Sequence, residues 1–243
     1  MSKILAVLYG VAAYVVFLAS FLYSIGFVGG FLVPKTIDGP GAGPDMLPSL
    51  IVDAVLLGLF AVQHSVMARP AFKAGWTRIV PKSVERTTYV LLSSLLLFLI
   101  FWQWRPIPDA VWSVANDAGR MALWALFWAG WLIVLLSTFM ISHFDLFGLR
   151  QVMLNFQGKP YSHPPFMTRG LYNLVRHPIM LGFIIAFWAT PLMTVGHLLF
   201  AALTTGYILI ALQLEEKDLL DALGEAYRTY RSRVPMLIPW TKR

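Results

Sequence analysis

The stretch IMLGFIIAFWATPLMTVGHLLFAALTTGYILIALQL, residues 179–214, runs for 36 residues without an Asp, Glu, Lys or Arg. As one straight helix it would reach about 54 Å, nearly twice a hydrocarbon core of about 30 Å. It must therefore fold back. Pro191, Thr194 and Gly196 mark the turn, because proline removes a backbone donor and glycine relaxes the local geometry. The expectation is two short helices paired as a hairpin. Upstream, runs without acids or bases cover 4–33, 87–104 and 121–142, and a further apolar run, 47–68, is interrupted only by Asp53. Each is long enough to cross a bilayer. The chain thus reads as an all-α polytopic membrane protein with six transmembrane helices, the last two a short hairpin, in a single domain over 1–243.

Composition agrees: 58% apolar and 13% charged residues fall outside the soluble balance. Of the nineteen Lys and Arg residues, sixteen lie in segments 1–3, 69–86, 143–177 and 215–243, and three lie around 34–46 and 105–120. The positive-inside rule puts both termini in the cytoplasm, which requires an even number of crossings. That result agrees with the hairpin without using the same residues. It describes a multi-pass protein of a bacterial inner membrane, with the lipid bilayer as its partner. The net charge of +7 is spread over short loops, as orientation against lipid demands, so nucleic acid is not an expected partner. The first run is longer than a signal-peptide core and lacks a small-residue cleavage pattern, so it reads as a retained helix. With no cysteine, there is no disulfide framework or thiolate nucleophile. Nothing in the sequence determines oligomeric state.

Polar chemistry gathers at two places that a hairpin would bring to one cytoplasmic rim: Thr168-Arg169-Gly170-Leu171-Tyr172-Asn173-Leu174-Val175-Arg176-His177-Pro178, and Gln213-Leu214-Glu215-Glu216-Lys217-Asp218-Leu219. Arg176 can grip a carboxylate through a planar fork, and His177 can donate or accept near neutral pH. Pro178 suits a first helical turn. Glu215 and Glu216 end an apolar helix, where a carboxylate needs a cation, a donor or water. Adjacent residues diverge on a helix, so one can pair with Arg176 while the other faces a cationic ligand; a structural salt bridge is the competing reading. Beyond them Leu219, Leu220, Leu223, Tyr227, Tyr230 and Val234 recur at spacings of one, three, four, three and four, the apolar face of an interfacial C-terminal helix that can cover the rim. Tyr227 and Tyr230 can reach one ligand or one packed core.

Other patterns are less specific. His64, His143, His163 and His177 share no metal-ligand spacing, and no metal is expected. Gly39-Pro40-Gly41-Ala42-Gly43 lacks the strand and helix that a phosphate loop needs. Ser142, His143 and Asp145 crowd one helix end without a nucleophile turn, which suits capping and packing. Trp102, Trp104, Trp112, Trp128, Trp131, Trp188 and Trp240 suit interface anchoring or helix packing.

The 170–182 stretch with its Arg176-His177-Pro178 element, the Glu215-Glu216 pair and Gly224-Glu225-Ala226-Tyr227-Arg228-Thr229-Tyr230 resemble the integral-membrane methyltransferases related to isoprenylcysteine carboxyl methyltransferase. The likeness spans about 158–239. Over nearly the whole chain, Gln63-His64-Ser65, Glu85-Arg86-Thr87-Thr88-Tyr89 and the segment from Ser142 to Gln151 resemble the members of that group that methylate methanethiol. The nitrite- and nitric-oxide-associated membrane proteins share this broader likeness. The resemblance implies S-adenosylmethionine bound at the cytoplasmic helix ends beneath a C-terminal cover, with 158–239 as the donor-binding core. It implies Tyr172, Arg176, His177, Glu215, Glu216, Tyr227 and Tyr230 as cofactor-binding positions. The implied reaction methylates a small thiol, methanethiol, to dimethyl sulfide. His64 or His143 is then the candidate catalytic base for proton removal. Met180 stands where the prenylcysteine enzymes often carry tyrosine, which favours a different acceptor cavity. An isoprenylcysteine or other small-molecule methyltransferase, and a non-enzymatic membrane accessory protein of the nitrite- and nitric-oxide-associated family, are the alternatives.

Overall fold

The computed structural model describes residues 2–40 and 45–239; Trp240 and the Gly41, Ala42, Gly43 and Pro44 part of the glycine-proline loop lie outside the described residues. In chain order the helices are α1 (Lys3–Gly29), α2 (Met46–Ala68), α3 (Pro70–Trp76), α4 (Glu85–Gln103), α5 (Asp117–Ile141), α6 (His143–Leu146), α7 (Leu149–Phe156), α8 (Pro178–Trp188), α9 (Val195–Leu223) and α10 (Glu225–Arg233). A 3-10 turn covers Gly170–Asn173, and two short strands, β1 (Ala110–Ser113) and β2 (Leu192–Thr194), pair with each other. Among the described residues α1, α2, α4, α5 and α9 are long and apolar enough to cross a membrane. The molecule is an all-α polytopic membrane protein with a minor strand pair. The chain divides into two compact units, Met1–Ile107 with Ser142–Pro165, and Pro108–Ile141 with Phe166–Arg243.

In the first unit, α1 leaves Ile4, Leu8, Val11, Val15, Leu18 and Leu22 exposed at alternating spacings of four and three. Such an apolar stripe is a liability in water and an ordinary surface in lipid. The opposite face buries the small residues Ala6, Gly10 and Ala13. A Cβ on Gly10 would stand 2.6 Å from a Val152 methyl, so α7 packs directly on the α1 backbone. Ser2 caps α1, its Oγ accepting from Leu5 N–H at 3.2 Å. Gly30, left-handed at φ 76°, ends it and donates its N–H to Gly26 O. Asp53, the acid within α2, is 0% exposed and accepts the Arg105 N–H at 2.9 Å.

In the second unit, α5 lies against α8. The turn expected near Pro191 is present: α8 stops at Trp188, β2 follows, and α9 begins at Val195 with Thr194 Oγ1 capping His197 N–H at 3.1 Å. His197, fully buried, places Nε2 3.0 Å from Phe187 O, one of the carbonyls that α8 leaves unpaired at its end. The region 105–120, read only as a loop, supplies β1, and Asp109 O accepts the Val195 N–H at 2.8 Å. This pairing satisfies backbone groups that the turn would otherwise strand.

The lengths differ from two matched short helices. α8 has 11 residues, about 16 Å of helix, whereas α9 has 29 and carries Glu215 and Glu216 well inside it. The apolar face from Leu219 to Val234 also spans two helices. Gly224, at φ 56° and ψ −126°, takes a conformation that a side chain resists, and α10 folds back from it. Tyr227, Tyr230 and Val234 then pack on Leu219, Leu220 and Leu223, the same six residues, brought together by a corner.

Candidate functional site

Within the second unit, the two polar stretches meet. Pro178 opens α8 in its first turn, leaving Arg176 and His177 just ahead of the helix. Their backbone N–H groups donate to Pro235 O at 2.9 Å and Met236 O at 3.2 Å, so the C-terminal strap pairs with this segment. Glu216, 4% exposed, is the centre of the side-chain cluster. Its Oε1 receives Arg176 Nε at 2.6 Å and Nη2 at 2.5 Å, and lies 3.2 Å from His177 Nε2. Its Oε2 lies 3.3 Å from Arg231 Nε. Arg176 also donates from Nη1 to Val234 O at 2.5 Å and Arg231 O at 3.2 Å. One buried carboxylate thus ties α9, the segment before α8 and the α10 strap together. Glu215 diverges from it as adjacent helix positions do: its side chain is 46% exposed, with Oε2 3.8 Å from His177 Nδ1.

The tyrosines join the same cluster. Tyr230 donates its hydroxyl to Tyr172 O at 2.7 Å, and Tyr172 donates to Ser137 O at 3.4 Å. Tyr227 is 1% exposed, and its hydroxyl finds no acceptor among the described residues. Burial is the main cause raising the pKa of all three, Tyr230 to about 12, so they remain protonated donors at neutral pH. Phe166 lies with its ring centroid 6.1 Å from that of Tyr227 and 5.5 Å from that of Tyr230. Every cofactor-binding position expected from sequence falls in this unit.

His64 and His143 belong to the first unit. His64 Nε2 is 2.8 Å from Tyr89 Oη and its Nδ1 is 3.2 Å from Ser93 Oγ, while Phe60 stacks on the ring. His143 Nε2 is 2.7 Å from Tyr14 Oη, and Phe144 and Phe147 meet its ring edge-on. Burial lowers the His143 pKa, which favours a neutral ring. Phe147 stacks on Phe17 at 3.8 Å, and both pack against the cluster containing Tyr89. The three distant motifs of this unit are therefore neighbours. Arg86 Nε donates to Leu146 O at 2.8 Å, Thr87 Oγ1 donates to Gly148 O at 3.3 Å, and Gly148, at φ 87°, lies so close to Thr87 that a Cβ would come within 2.7 Å of the Thr87 backbone nitrogen.

Ser142 makes no side-chain cap. Asp145 instead pairs with Arg150 at 2.9 Å and accepts from Tyr161 at 3.2 Å. His163 lies 3.2 Å from Tyr161. Asp145, Arg150, Tyr161 and His163 thus serve one another. The tryptophans divide: Trp104 and Trp131 are buried, whereas Trp102 and Trp128 are exposed.

Sequence reasoning singled out neither Arg231 nor Phe166. Arg231 stands four residues after Tyr227, one helical turn away, and that spacing is the signal that would have found it.

A polytopic helical membrane protein with two arginines and a histidine around one buried glutamate, closed by a C-terminal strap, is the class that fold and site define. Residues 79–234 match the family described as "Protein of unknown function (DUF1295)". The chain is 60% identical over 243 residues to the methanethiol S-methyltransferase of Mycobacterium tuberculosis, covering 100% of this chain and 99% of the other. It is 54% identical over 240 residues to methanethiol S-methyltransferase 1 of Bradyrhizobium diazoefficiens, covering 99% and 84%. Nurim of Mus musculus is 30% identical over 182 residues, covering 72% and 69%. No solved structure matches. The chain belongs to the methanethiol S-methyltransferase family.

Proposed function

We infer that this protein transfers a methyl group from S-adenosylmethionine to methanethiol, giving dimethyl sulfide, S-adenosylhomocysteine and one proton. The observation that carries this is the 60% identity over the full chain to an enzyme of that name. The donor supplies an electrophilic methyl group on a sulfonium sulfur. The chain's task is to hold that donor, exclude water and align the thiol sulfur, so that two partners react from one oriented complex.

The residues fit such a donor. Residues 158–239, within one functional chain over 1–243, form the proposed donor-binding core, with Tyr172, Arg176, His177, Glu215, Glu216, Tyr227 and Tyr230 as the cofactor-binding set. The buried Tyr227 hydroxyl lacks a protein acceptor, and the half-exposed Glu215 carboxylate suits the donor's ammonium group. Within that set, Arg176 and Glu216 serve by holding α10 and the strap after it over the other members. His64 and His143 are the proposed acceptors of the thiol proton. Some of Phe144, Phe147, Phe156 and Met180 are proposed to limit the size of the acceptor.

Purified protein given donor labelled in its methyl group, with thiols of rising length and an isoprenylated cysteine, tests both the activity and the acceptor. Turnover should fall as the acceptor grows beyond methanethiol, since each mismatched methylene changes discrimination by about 1–3 kcal/mol. Phe144→Ala or Phe147→Ala should partly recover longer thiols. A higher kcat/KM for the prenylated acceptor would defeat the small-thiol assignment, and no labelled product from any acceptor would defeat the enzyme assignment.

We further propose six crossings in a bacterial inner membrane, with both termini cytoplasmic, α8 and α9 as the final hairpin, and α10 along the cytoplasmic interface. Accessibility labels near residues 2, 76 and 155 should react from the cytoplasmic side, and those near 40, 112 and 195 from the other. Cytoplasmic labelling at 195 would overturn the hairpin orientation.

A further inference from the structure

We propose that Arg231 is the anchor for the methyl donor's α-carboxylate and that Arg176 is a positioning residue that leaves this task to it. The inference rests on the donor reading above and assigns a ligand contact within the same site.

A guanidinium has five N–H donors. Arg176 sends Nε and Nη2 to Glu216 and Nη1 to the carbonyls of Arg231 and Val234, so four of its five directions serve the protein. It is also buried, with its side chain 8% exposed. Arg231 is placed differently. Only its Nε engages Glu216, at 3.3 Å, its side chain is 49% exposed, and among the described residues its two terminal nitrogens have no partner. A fork with both ends open at the edge of a buried cluster has the geometry of a bidentate carboxylate site.

Charge points the same way. Two guanidiniums share the single carboxylate of Glu216, so Arg231 at the cluster's half-exposed edge has only part of one anion against it. A ligand carboxylate at its open end would complete that neutralisation. Two further arginines of this unit are engaged elsewhere: Arg228 faces Glu225 at 3.7 Å on the exposed side of α10, and Arg169 donates to Met140 O at 2.9 Å. Glu215 meanwhile presents a half-exposed carboxylate beside His177. Arg231 and Glu215 are thus opposite charges joined through Glu216 and His177, an arrangement matched to an amino acid's zwitterion.

The test compares S-adenosylmethionine with its decarboxylated form, which keeps the sulfonium, the nucleoside and the amine, by equilibrium binding to the purified full-length protein. The wild type should bind the carboxylate-bearing donor at least about tenfold tighter. Arg231→Gln should abolish that preference while its affinity for the decarboxylated donor stays within about twofold. Arg231→Lys, which keeps the charge without the fork, should retain part of the preference. Arg176→Lys should weaken both donors alike. Equal affinities in the wild type, a result that needs no variant to fold, would overturn the proposal. Equal weakening of both donors in Arg231→Gln would also overturn it, because Arg231 would then act only through Glu216. Binding of neither donor by the wild type would instead overturn the methyltransferase reading, and this assignment with it.

Discussion

Arg176→Ala is expected to lower donor affinity and turnover by at least about tenfold, close to 1.4 kcal/mol, and to destabilise the folded protein by about 3–5 kcal/mol. The two losses share a cause. Arg176 holds Oε1 of a carboxylate that is nearly inaccessible to solvent, and its other arm holds the strap through the carbonyls of Arg231 and Val234. Alanine leaves Glu216 with His177 and Arg231 alone, and leaves both carbonyls to find other donors. Breaking one side of a buried ion pair is costly because the remaining charge stays desolvated. Glu216→Gln should be milder in stability, since it removes the charge and keeps an acceptor. Its donor binding should still fall by about tenfold. Thermal unfolding in detergent and equilibrium binding of labelled donor measure the two effects separately. Unchanged affinity in well-folded Arg176→Ala and Glu216→Gln would remove the cluster from the donor site and leave it a structural tie.

Gly182→Leu should be still harder for the fold to absorb. A Cβ at Gly182 would stand 2.7 Å from Gly130 O and 2.9 Å from Val134 N, and one at Gly130 would stand 2.7 Å from both Gly182 O and Ala186 N. These are backbone atoms of facing helices, so no flexible side chain can move aside; α5 and α8 would have to separate. Close approach through small residues is a main source of helix association in lipid, where apolar burial drives little. Overpacking costs about 1–3 kcal/mol where a core can adjust, and more where backbone must shift. Because α8 begins directly after His177, its displacement should also weaken donor binding. Thermal stability and donor affinity of Gly182→Ala and Gly182→Leu should fall in that order. A Gly182→Leu protein with wild-type melting would show that the two helices do not need this contact.

Much of the molecule was legible from sequence because lipid imposes a simple rule: a spanning segment must be a helix of fixed minimum length without unpaired charge. That rule located α1, α2, α4, α5 and the fold-back near Pro191 to within a few residues. It also singled out Glu215 and Glu216 as acids needing a partner at an apolar helix end. The Tyr227 and Tyr230 face was legible from periodicity, although the corner at Gly224 was not, since periodicity continues across a bend when both arms pack on one cluster.

The sequence by itself determined that this is a multi-pass helical membrane protein and in which segments its polar residues gather, because length, apolarity and charge are local properties that lipid tests residue by residue. Tertiary structure alone decided how the chemistry is shared. Adjacent glutamates are equivalent on paper, yet Glu216 is buried among two arginines and a histidine while Glu215 is left half-exposed. Likewise, Arg176 and Arg231 are the same residue type, and only the return of α10 makes one a saturated clamp and the other an open fork. β1 and the His197 contact with Phe187 O arose in the same way, from partners that distant segments supply. Hydrogen bonds and ion pairs are directional and short-ranged, so their partners are settled when the helices meet and not before.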